Sequence, residues 1–329
     1  MSEYSSSGPR TKWAEKPYHS LDYYLKEQFG EKVYRLSLNA GLTCPNRDGT
    51  LDTRGCIFCS RGGSGDFATP LFPGQAQADY TTPEYRITCQ IEAARQQLIQ
   101  KRSCRKFIAY FQAFTNTYGP ISYLRQIFFA AIRHPDVVVL SIATRPDCLS
   151  QEVLDLLDEL NKIKPVWVEL GLQTIHEKTS RLIRSGFTLS CFEDAVLRLK
   201  AIALPVIVHV ILGLPGESKP QMLATVDYLA HLGIDGIKLQ LLHILTDTDL
   251  YDYYLAHPFH LLELNEYCDL ICDCIEHLPP EVIIHRLTGD GPKKLLAGPM
   301  WSTNKHHVLN QLHKTMAEKH SYQGKSFSQ

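Results

Sequence analysis

The sequence predicts an α/β protein built around a parallel β-sheet that is covered by helices. Six short apolar runs, rich in Val, Ile and Leu, are too continuous for strands with one wet face and therefore predict buried strands. Stretches with apolar residues at helical spacing separate most of these runs. Alternation of strands and helices is typical of a parallel sheet, and six such units are fewer than the eight of a closed barrel.

The predicted strands share a strand-sized length and a high content of β-branched residues. In chain order they cover residues 33–39, 107–111, 137–142, 166–170, 206–212 and 236–241. Helices are predicted where apolar residues recur every three or four positions, as over 91–99, 124–132 and 153–160. Ser150 is the predicted N-cap of the third of these helices, and Ser190 with Glu193 predicts a capping box after the fourth strand.

Three segments are predicted along the chain. Residues 1–30 form an N-terminal extension, rich in Ser, Lys and Tyr, that wraps around the core or stays partly loose. Residues 31–255 form the core. Residues 256–329 change pattern to a helix over 263–277, a strand over 282–285 and a basic helix over 304–319, which predicts an α/β cap on the substrate side.

Composition favours a cytoplasmic protein. The formal net charge is -1, so any nucleic-acid partner would have to meet a local basic patch rather than a global field. The ten cysteines, without a signal peptide, fit a reducing compartment. No apolar run approaches the roughly 20 residues of a membrane span, so no membrane partner is expected.

Three cysteines directly after the first strand are the most informative residues of the chain. Cys44, Cys56 and Cys59 have the spacing C-x11-C-x2-C, and Phe58 precedes the last of them. Three thiolates can hold three irons of a [4Fe-4S] cluster and leave the fourth iron open, whereas an electron-carrying cluster normally has four protein ligands. An open position favours catalysis. A zinc knuckle or buried thiols remain the alternative, although no fourth Cys or His completes a local zinc site.

Two further features surround this cysteine motif. Residues 61–85, rich in Gly and Pro, predict an irregular loop that acts as a lid or substrate gate, because the loop follows the cysteines directly. Cys268, Cys272 and Cys274 form a second group, C-x3-C-x-C. On a helix Cys274 points about 200° away from the other two, so buried free thiols are expected there.

Polar or turn-forming residues follow the predicted strands, at the edge where α/β barrels bind their ligands. The candidates are Gln112, Thr115, Asn116, Thr144, Arg145, Gln173, Arg184, Gly213 and Leu214. Each alone is also explained by an ordinary polar turn, and Arg145 by an ion pair with Asp147 or Glu152. Arg184 has a solvent-facing helix position as its alternative.

The cysteine loop and two strand-end segments together resemble the radical S-adenosylmethionine (radical SAM) enzymes. The segments are Glu-Leu-Gly-Leu-Gln-Thr at 169–174 and Gly-Leu-Pro-Gly-Glu at 213–217, which resemble the Elongator catalytic subunit and oxygen-independent coproporphyrinogen oxidases. The usual cysteine spacing is C-x3-C-x2-C, and the longer first gap looks like the Elongator branch. The resemblance implies a partial (β/α)6 barrel of the TIM type over about residues 33–243.

The same resemblance implies the cofactors and their ligands. A [4Fe-4S] cluster on Cys44, Cys56 and Cys59 would reductively cleave S-adenosylmethionine to a 5′-deoxyadenosyl radical. The implied cofactor-binding residues are Phe58 against the adenine or the cluster, Gln112, Thr115 and Asn116 in place of a Gly-Gly-Glu motif, Thr144 and Arg145 for the ribose and carboxylate, Gln173 for the methionine end, Arg184, and Gly213 with Leu214 beside the adenine. Arg184 stands one residue away from its position in the relatives.

The resemblance also implies partners. An electron donor such as flavodoxin or ferredoxin is expected, and the leading substrate is tRNA, with remodelling of the C5 side chain of a wobble uridine. A basic group in the C-terminal segment, including Lys293, Lys294 and Lys305, is the candidate RNA surface. The alternatives are a small metabolite or tetrapyrrole precursor as substrate, and a non-catalytic iron–sulfur or zinc scaffold or sensor.

Overall fold

The computed structural model of the protein describes residues 10–63, 65–69, 82–289 and 291–328. Its main element is a seven-stranded parallel sheet in the order β1-β2-β3-β4-β5-β6-β8, beside a two-stranded antiparallel ribbon of β7 and β9. The strands are β1 Val33–Leu38, β2 Lys106–Phe111, β3 Val137–Thr144, β4 Val166–Gln173, β5 Val206–Leu212, β6 Gly236–Leu241, β7 Ile244–Leu245, β8 Ile283–Arg286 and β9 Leu296–Gly298. The six predicted core strands are thereby confirmed.

Ten helices are described, and crossovers between the strands of the large sheet contain most of them. They are α1 Leu21–Phe29, α2 Pro83–Ile99, α3 Ile121–Ile132, α4 Gln151–Asn161, α5 Glu177–Leu182, α6 Leu189–Ala201, α7 Lys219–Leu232, α8 Asp249–Ala256, α9 Leu264–Glu276 and α10 Lys305–Glu318. No helix in the described ranges is both long enough and apolar enough to cross a membrane.

One of the two predicted helix caps is confirmed and the other is wrong. The Ser150 side chain accepts a hydrogen bond from the Val153 backbone N–H at 3.4 Å. The predicted capping box of Ser190 and Glu193 does not form, because Thr188 already caps α6 by accepting from the Cys191 N–H at 3.2 Å. Ser190 lies inside the first turn instead. Thr188 and Ser190 are both residue types that favour the N-cap position, and Thr188 occupies it.

The sheet is curled into a partial barrel, as predicted. Arg35 on the edge strand β1 donates a hydrogen bond to His285 on β8, the opposite edge strand, at 3.3 Å. At the amino end of the barrel the chain before α1 bridges this gap, since the Ile284 N–H donates to the His19 carbonyl at 2.8 Å. The strand predicted in the C-terminal segment is therefore the seventh strand of the barrel sheet.

Alternation along the strands separates two cores. Outward side chains such as Leu36, Phe107 and Val168 are fully buried beneath the helices. Each contributes about 1.5–3 kcal/mol relative to an exposed position. Inward side chains at the amino end form a second apolar layer that includes Trp167 and Ile207, closed from below by α1. The barrel is therefore plugged at this end and opens at the carboxyl ends of its strands.

The remaining predicted segments lie as follows. From residue 10 onward the N-terminal extension packs on the core, with Trp13 only 2% exposed. Helix α9 packs against α10 and α7, and Cys268, Cys272 and Cys274 are buried within it as free thiols, as expected. Residues 64 and 70–81 of the predicted gate loop lie outside the described residues, so the gating role stays a prediction. The division of the chain into three segments also stays a prediction.

Candidate active site at the mouth of the barrel

The carboxyl ends of the strands surround a cavity of about 600 Å³. Every strand of the large sheet contributes a lining residue, and the cysteine loop forms one wall. A volume of this order is that of an ordinary small-molecule site. The cavity therefore lies where the predicted strand-end residues were expected to meet.

Cys44, Cys56 and Cys59 all line this cavity and are half-buried. The eleven intervening residues do not spread the cysteines apart, because they fold back on themselves: the Gly55 N–H donates to the Asn46 carbonyl at 2.6 Å. A tight turn, in which the Cys59 N–H donates to the Cys56 carbonyl at 3.0 Å, sets the last two cysteines. The eleven residues between Cys44 and Cys56 therefore form a compact loop, and all three thiols lie on one wall of the cavity.

Two side chains brace the loop. The Asn46 amide donates to the Arg184 carbonyl at 2.7 Å and to the Cys56 sulfur at 3.5 Å. Arg47 donates to the Cys59 carbonyl at 2.9 Å and to the next carbonyl at 2.6 Å. Gly55 has a φ of +80°, and a Cβ there would lie 2.8 Å from Arg47 Nε, so only glycine suits this position. The loop is held by the protein itself.

The chemistry of the three thiols fits a cationic iron–sulfur cluster. Burial, aided by the neighbouring Cys59, raises the pKa of Cys56 to about 12, so without a metal this thiol stays protonated. A bound cationic metal centre would deprotonate it and satisfy the buried thiolate. Within the described ranges no three His, Cys, Asp or Glu side chains lie close enough to surround a single metal ion. In a cluster, by contrast, each thiolate binds a different iron.

Among the predicted cofactor ligands that line the cavity, Gln173 has the most unusual geometry. It ends β4 with a φ of +72°, next to an irregularity in the pairing with β5. Its Oε1 is buried without a hydrogen-bond partner, although the residue lines the cavity. Gly171 makes room for it, since a Cβ there would lie 2.8 Å from Gln173 Nε2. A strained backbone that presents an unsatisfied acceptor is the mark of a site that awaits a donor.

Arg145 also lines the cavity, but its charge is already paired. Its Nε and Nη2 donate to the two Asp147 oxygens at 2.9 and 2.7 Å, and the guanidinium lies 5.3 Å from the centre of the Phe187 ring. The ion pair that the sequence offered as the alternative is therefore present. A role of Arg145 toward the cofactor stays a prediction.

The other candidates divide into two groups. Those that line the cavity are Phe58, Gln112, Thr115 and Thr144. Those that do not are Asn116, Arg184, Gly213 and Leu214. In the second group Arg184 pairs with Asp249 at 2.5 Å, and Asn116 donates to the Phe111 and Ala143 carbonyls at 3.1 and 2.9 Å. The structure gives these two side chains architectural partners, and their cofactor roles stay predictions.

A layer of charged side chains below the cysteines was not predicted from the sequence. Glu169 accepts hydrogen bonds from Lys238, from His209 Nε2 at 2.7 Å and from the Ser141 hydroxyl at 2.8 Å. Lys238 also donates to the Tyr110 hydroxyl at 3.2 Å. The sequence feature that could have revealed this layer is a single titratable residue within each of several largely apolar strands, such as Glu169 in β4, His209 in β5 and Lys238 in β6. Glu169, His209 and Lys238 all line the cavity, so they form its floor above the apolar plug.

Burial and mutual charge set the ionisation of this floor. Burial opposes ionisation of Glu169, but Lys238 and His209 outweigh it and hold the pKa of the carboxyl well below its usual value. Burial lowers the pKa of Lys238 to about 7 against the opposing attraction of Glu169. Burial also lowers the pKa of His209 to about 4, with the Lys238 ammonium acting in the same direction. His209 is therefore neutral at pH 7.

The neutral state of His209 predicts acid sensitivity. The folded state keeps the ring neutral down to a pKa of about 4, while the unfolded chain binds a proton below about 6.5. The free energy of unfolding should therefore fall by roughly 2 kcal/mol from pH 7 to pH 5 through this residue. In urea denaturation, the free energy of unfolding of His209→Gln should fall less between pH 7 and pH 5 than that of the parent. His260→Gln, at an exposed histidine, should show the same pH dependence of the free energy of unfolding as the parent. If His209→Gln also showed the parent's pH dependence, the neutral state of His209 would be contradicted.

Family models match most of the chain. One described as the radical SAM superfamily matches residues 52–229, and one described as the radical SAM C-terminal domain matches residues 234–318. The first of these spans β2 to β5 and two of the three cysteines that line the cavity.

Individual proteins are also similar to this chain. The Bacillus subtilis protein YtqA is 45% identical over 313 residues, covering 95% of this chain and 94% of YtqA. The tRNA uridine(34) acetyltransferase of Methanocaldococcus jannaschii is 26% identical over 187 residues, covering 56% of this chain and 33% of that enzyme. The solved structure of Elp3 from Methanocaldococcus infernus has a TM-score of 0.65 at 17% identity, covering 88% of this chain and 64% of that one. This last likeness concerns the fold.

Proposed function

This chain belongs to the radical SAM superfamily, and from that premise we propose that it modifies a uridine of tRNA by means of a [4Fe-4S] cluster on Cys44, Cys56 and Cys59. The chain is a radical SAM enzyme, so the non-catalytic scaffold is set aside. The observation that carries the cluster proposal is the convergence of the three predicted thiols on one wall of the barrel cavity.

The cofactor supplies the radical chemistry, and the protein supplies its placement. When bound, the reduced cluster with S-adenosylmethionine yields a 5′-deoxyadenosyl radical that can take a hydrogen atom from an unreactive carbon. The three thiolates would hold the cluster, while Asn46 and Arg47 brace the loop that carries them. Gln173, with its buried and unsatisfied Oε1, would accept a hydrogen bond from the amino group of the methionine end, and Phe58 would cover the neighbouring wall. An external donor, such as reduced flavodoxin or ferredoxin, provides the electron.

Removing the acceptor at Gln173 should weaken S-adenosylmethionine binding. Gln173→Leu should leave a buried N–H of that amino group without an acceptor, which costs about 1–3 kcal/mol, or roughly a 5- to 150-fold higher Kd. Calorimetry on the anaerobic, cluster-loaded protein measures this. Gln151→Leu, on the exposed start of α4, is the matched control and should bind like the parent. Equal affinity of Gln173→Leu and the parent would remove Gln173 from the cofactor site.

The tRNA part of the proposal rests on the relative that acts on uridine 34 and on the surface around the cavity. Lys293 and Lys294 are exposed and follow Gly291, a residue of the cavity lining, by two and three positions. Positive charge at the cavity edge suits RNA that inserts a base into the barrel, because phosphates on either side of that base would meet the rim.

Neutralising these two lysines together with Lys305, the third residue of the predicted RNA surface, should weaken tRNA binding. Lys293→Gln, Lys294→Gln and Lys305→Gln together should lower tRNA affinity and reduce the slope of log affinity against log salt by about 0.7–0.9 for each phosphate that is no longer neutralised. Filter binding at several salt concentrations measures both. Lys26→Gln with Lys32→Gln neutralises the opposite end of the barrel and should leave both unchanged. If the parent has no affinity for tRNA even at low salt, a small metabolite becomes the substrate class.

A further inference from the structure

The floor of the cavity holds more positive than negative charge. Of the residues that the structure describes, Arg35, Lys238 and Arg286 are the cations of this floor and Glu169 is its carboxylate, whereas Asp66, the other carboxylate of the cavity lining, accepts from Ser60 in the cysteine loop. The Arg35 guanidinium contacts the ring nitrogen of His285 at 3.3 Å and lies 5.6 Å from the centre of the Tyr110 ring. Neither of these two neighbours carries a negative charge.

The neighbouring histidines do not alter this balance. An arginine nitrogen can only donate, so His285 Nδ1 accepts the bond from Arg35 and is unprotonated. His209 is neutral because burial lowers its pKa to about 4. Arg35 remains charged at any physiological pH, and Lys238 adds to it in its protonated form. Glu169 balances one of these two charges, so among the described floor residues a positive charge remains whenever Lys238 is protonated, even before Arg286 is counted.

Unbalanced cations in the interior of a partial barrel are costly unless a ligand compensates them. Below them lies the apolar layer of Trp167 and Ile207, which has no charge to offer, whereas above them the cavity is open. A molecule that enters from the mouth must therefore reach the cations with its deepest group. A neutral base edge would leave the charges uncompensated, while an anion would satisfy them.

We propose that the cavity floor is an anion subsite in which Arg35, Lys238 and Arg286 bind a carboxylate or phosphate group carried by the substrate. This rests on the proposed function, since it places the substrate between the cluster wall and the floor. For a uridine it means either an acidic substituent on the base or a phosphate of the nucleotide. Charge-assisted, bidentate contacts from the two arginines would orient that group.

Calorimetry with three nucleoside probes tests the subsite on the anaerobic, cluster-loaded enzyme. The probes are uridine, 5-carboxymethyluridine and uridine 5′-monophosphate, which differ in the presence and place of one anion. The parent should bind one anionic probe at least about tenfold more tightly than uridine, as expected for a charge-assisted contact. Preference for 5-carboxymethyluridine assigns the anion to the base, and preference for the monophosphate assigns it to the ribose side.

Substitutions in the cavity floor then test whether its arginines cause the preference for the anionic probe. Arg35→Gln and Arg286→Gln should each bring the ratio of the Kd for uridine to the Kd for the anionic probe close to one. Arg125→Gln, at an exposed pair with Glu159, should keep the parent's ratio. Equal binding of all three probes by the parent overturns the subsite without any variant. A preference that survives both floor variants overturns it as well. Neither result touches tRNA binding through the rim, so failure of the subsite is distinguishable from failure of the proposed function.

Discussion

Replacement of Cys44, Cys56 and Cys59 together by Ala is expected to abolish iron–sulfur binding. The anaerobically reconstituted parent should hold about four irons and show broad visible absorption, whereas the triple variant should hold almost none, because all three ligands of the proposed cluster are gone. Iron analysis and absorption spectra measure this. The three thiols share one wall of the cavity, and among the residues that the structure describes no set of three His, Cys, Asp or Glu side chains could surround a single metal ion instead.

A matched control uses thiols of similar exposure away from the cavity. Cys89→Ala with Cys191→Ala removes two half-buried thiols and should retain the full iron content. If the triple variant kept its iron, and the buried thiols of α9 proved necessary instead, the cluster would be misplaced.

Removal of the Glu169 charge should lower the free energy of unfolding more than any other substitution proposed here. Glu169→Gln leaves Lys238, only 2% exposed, without its carboxylate, and breaking a buried pair in this way costs about 3–5 kcal/mol. Urea denaturation measures the free energy of unfolding. Adding Lys238→Met to Glu169→Gln should recover a large part of the loss, because the buried amine that has lost its partner is also removed.

An exposed pair provides the control for this effect. Glu159→Gln breaks the surface contact with Arg125, in which both side chains are 48% exposed, and should cost no more than about 1 kcal/mol. A loss from Glu169→Gln as small as that from Glu159→Gln would mean that the pair does not hold the barrel interior together.

The strands were predictable because their apolar runs are local and continuous. Residues 206–212 and 236–241 match β5 and β6 to the residue. The strand at 282–285 was also recognisable, but its place in the barrel was not, since pairing with β6 depends on the path of the intervening 40 residues or so. The wrong capping box has a local cause, because Thr188 and Ser190 are both good caps and sequence alone does not rank them.

The site was predictable in part. Residues at the last position of a strand, such as Gln173, or just beyond it, such as Arg145, do line the cavity. Leu214, two residues beyond β5, and Arg184, two residues beyond α5, do not line the cavity, and no periodicity in the sequence reports the turns that direct them elsewhere. The charged floor was missed because its members come together only when the sheet curls. Glu169 and Lys238 are 69 residues apart and carry no motif of their own.

Formation of 5′-deoxyadenosine tests the central claim most directly. The cluster-loaded protein, reduced anaerobically with dithionite and given S-adenosylmethionine, should release 5′-deoxyadenosine in amounts that mass spectrometry detects easily. The variant that lacks Cys44, Cys56 and Cys59 should release none. A parent protein that carries about four irons and yet forms no 5′-deoxyadenosine, with or without tRNA, would contradict the assignment of radical chemistry to this cavity.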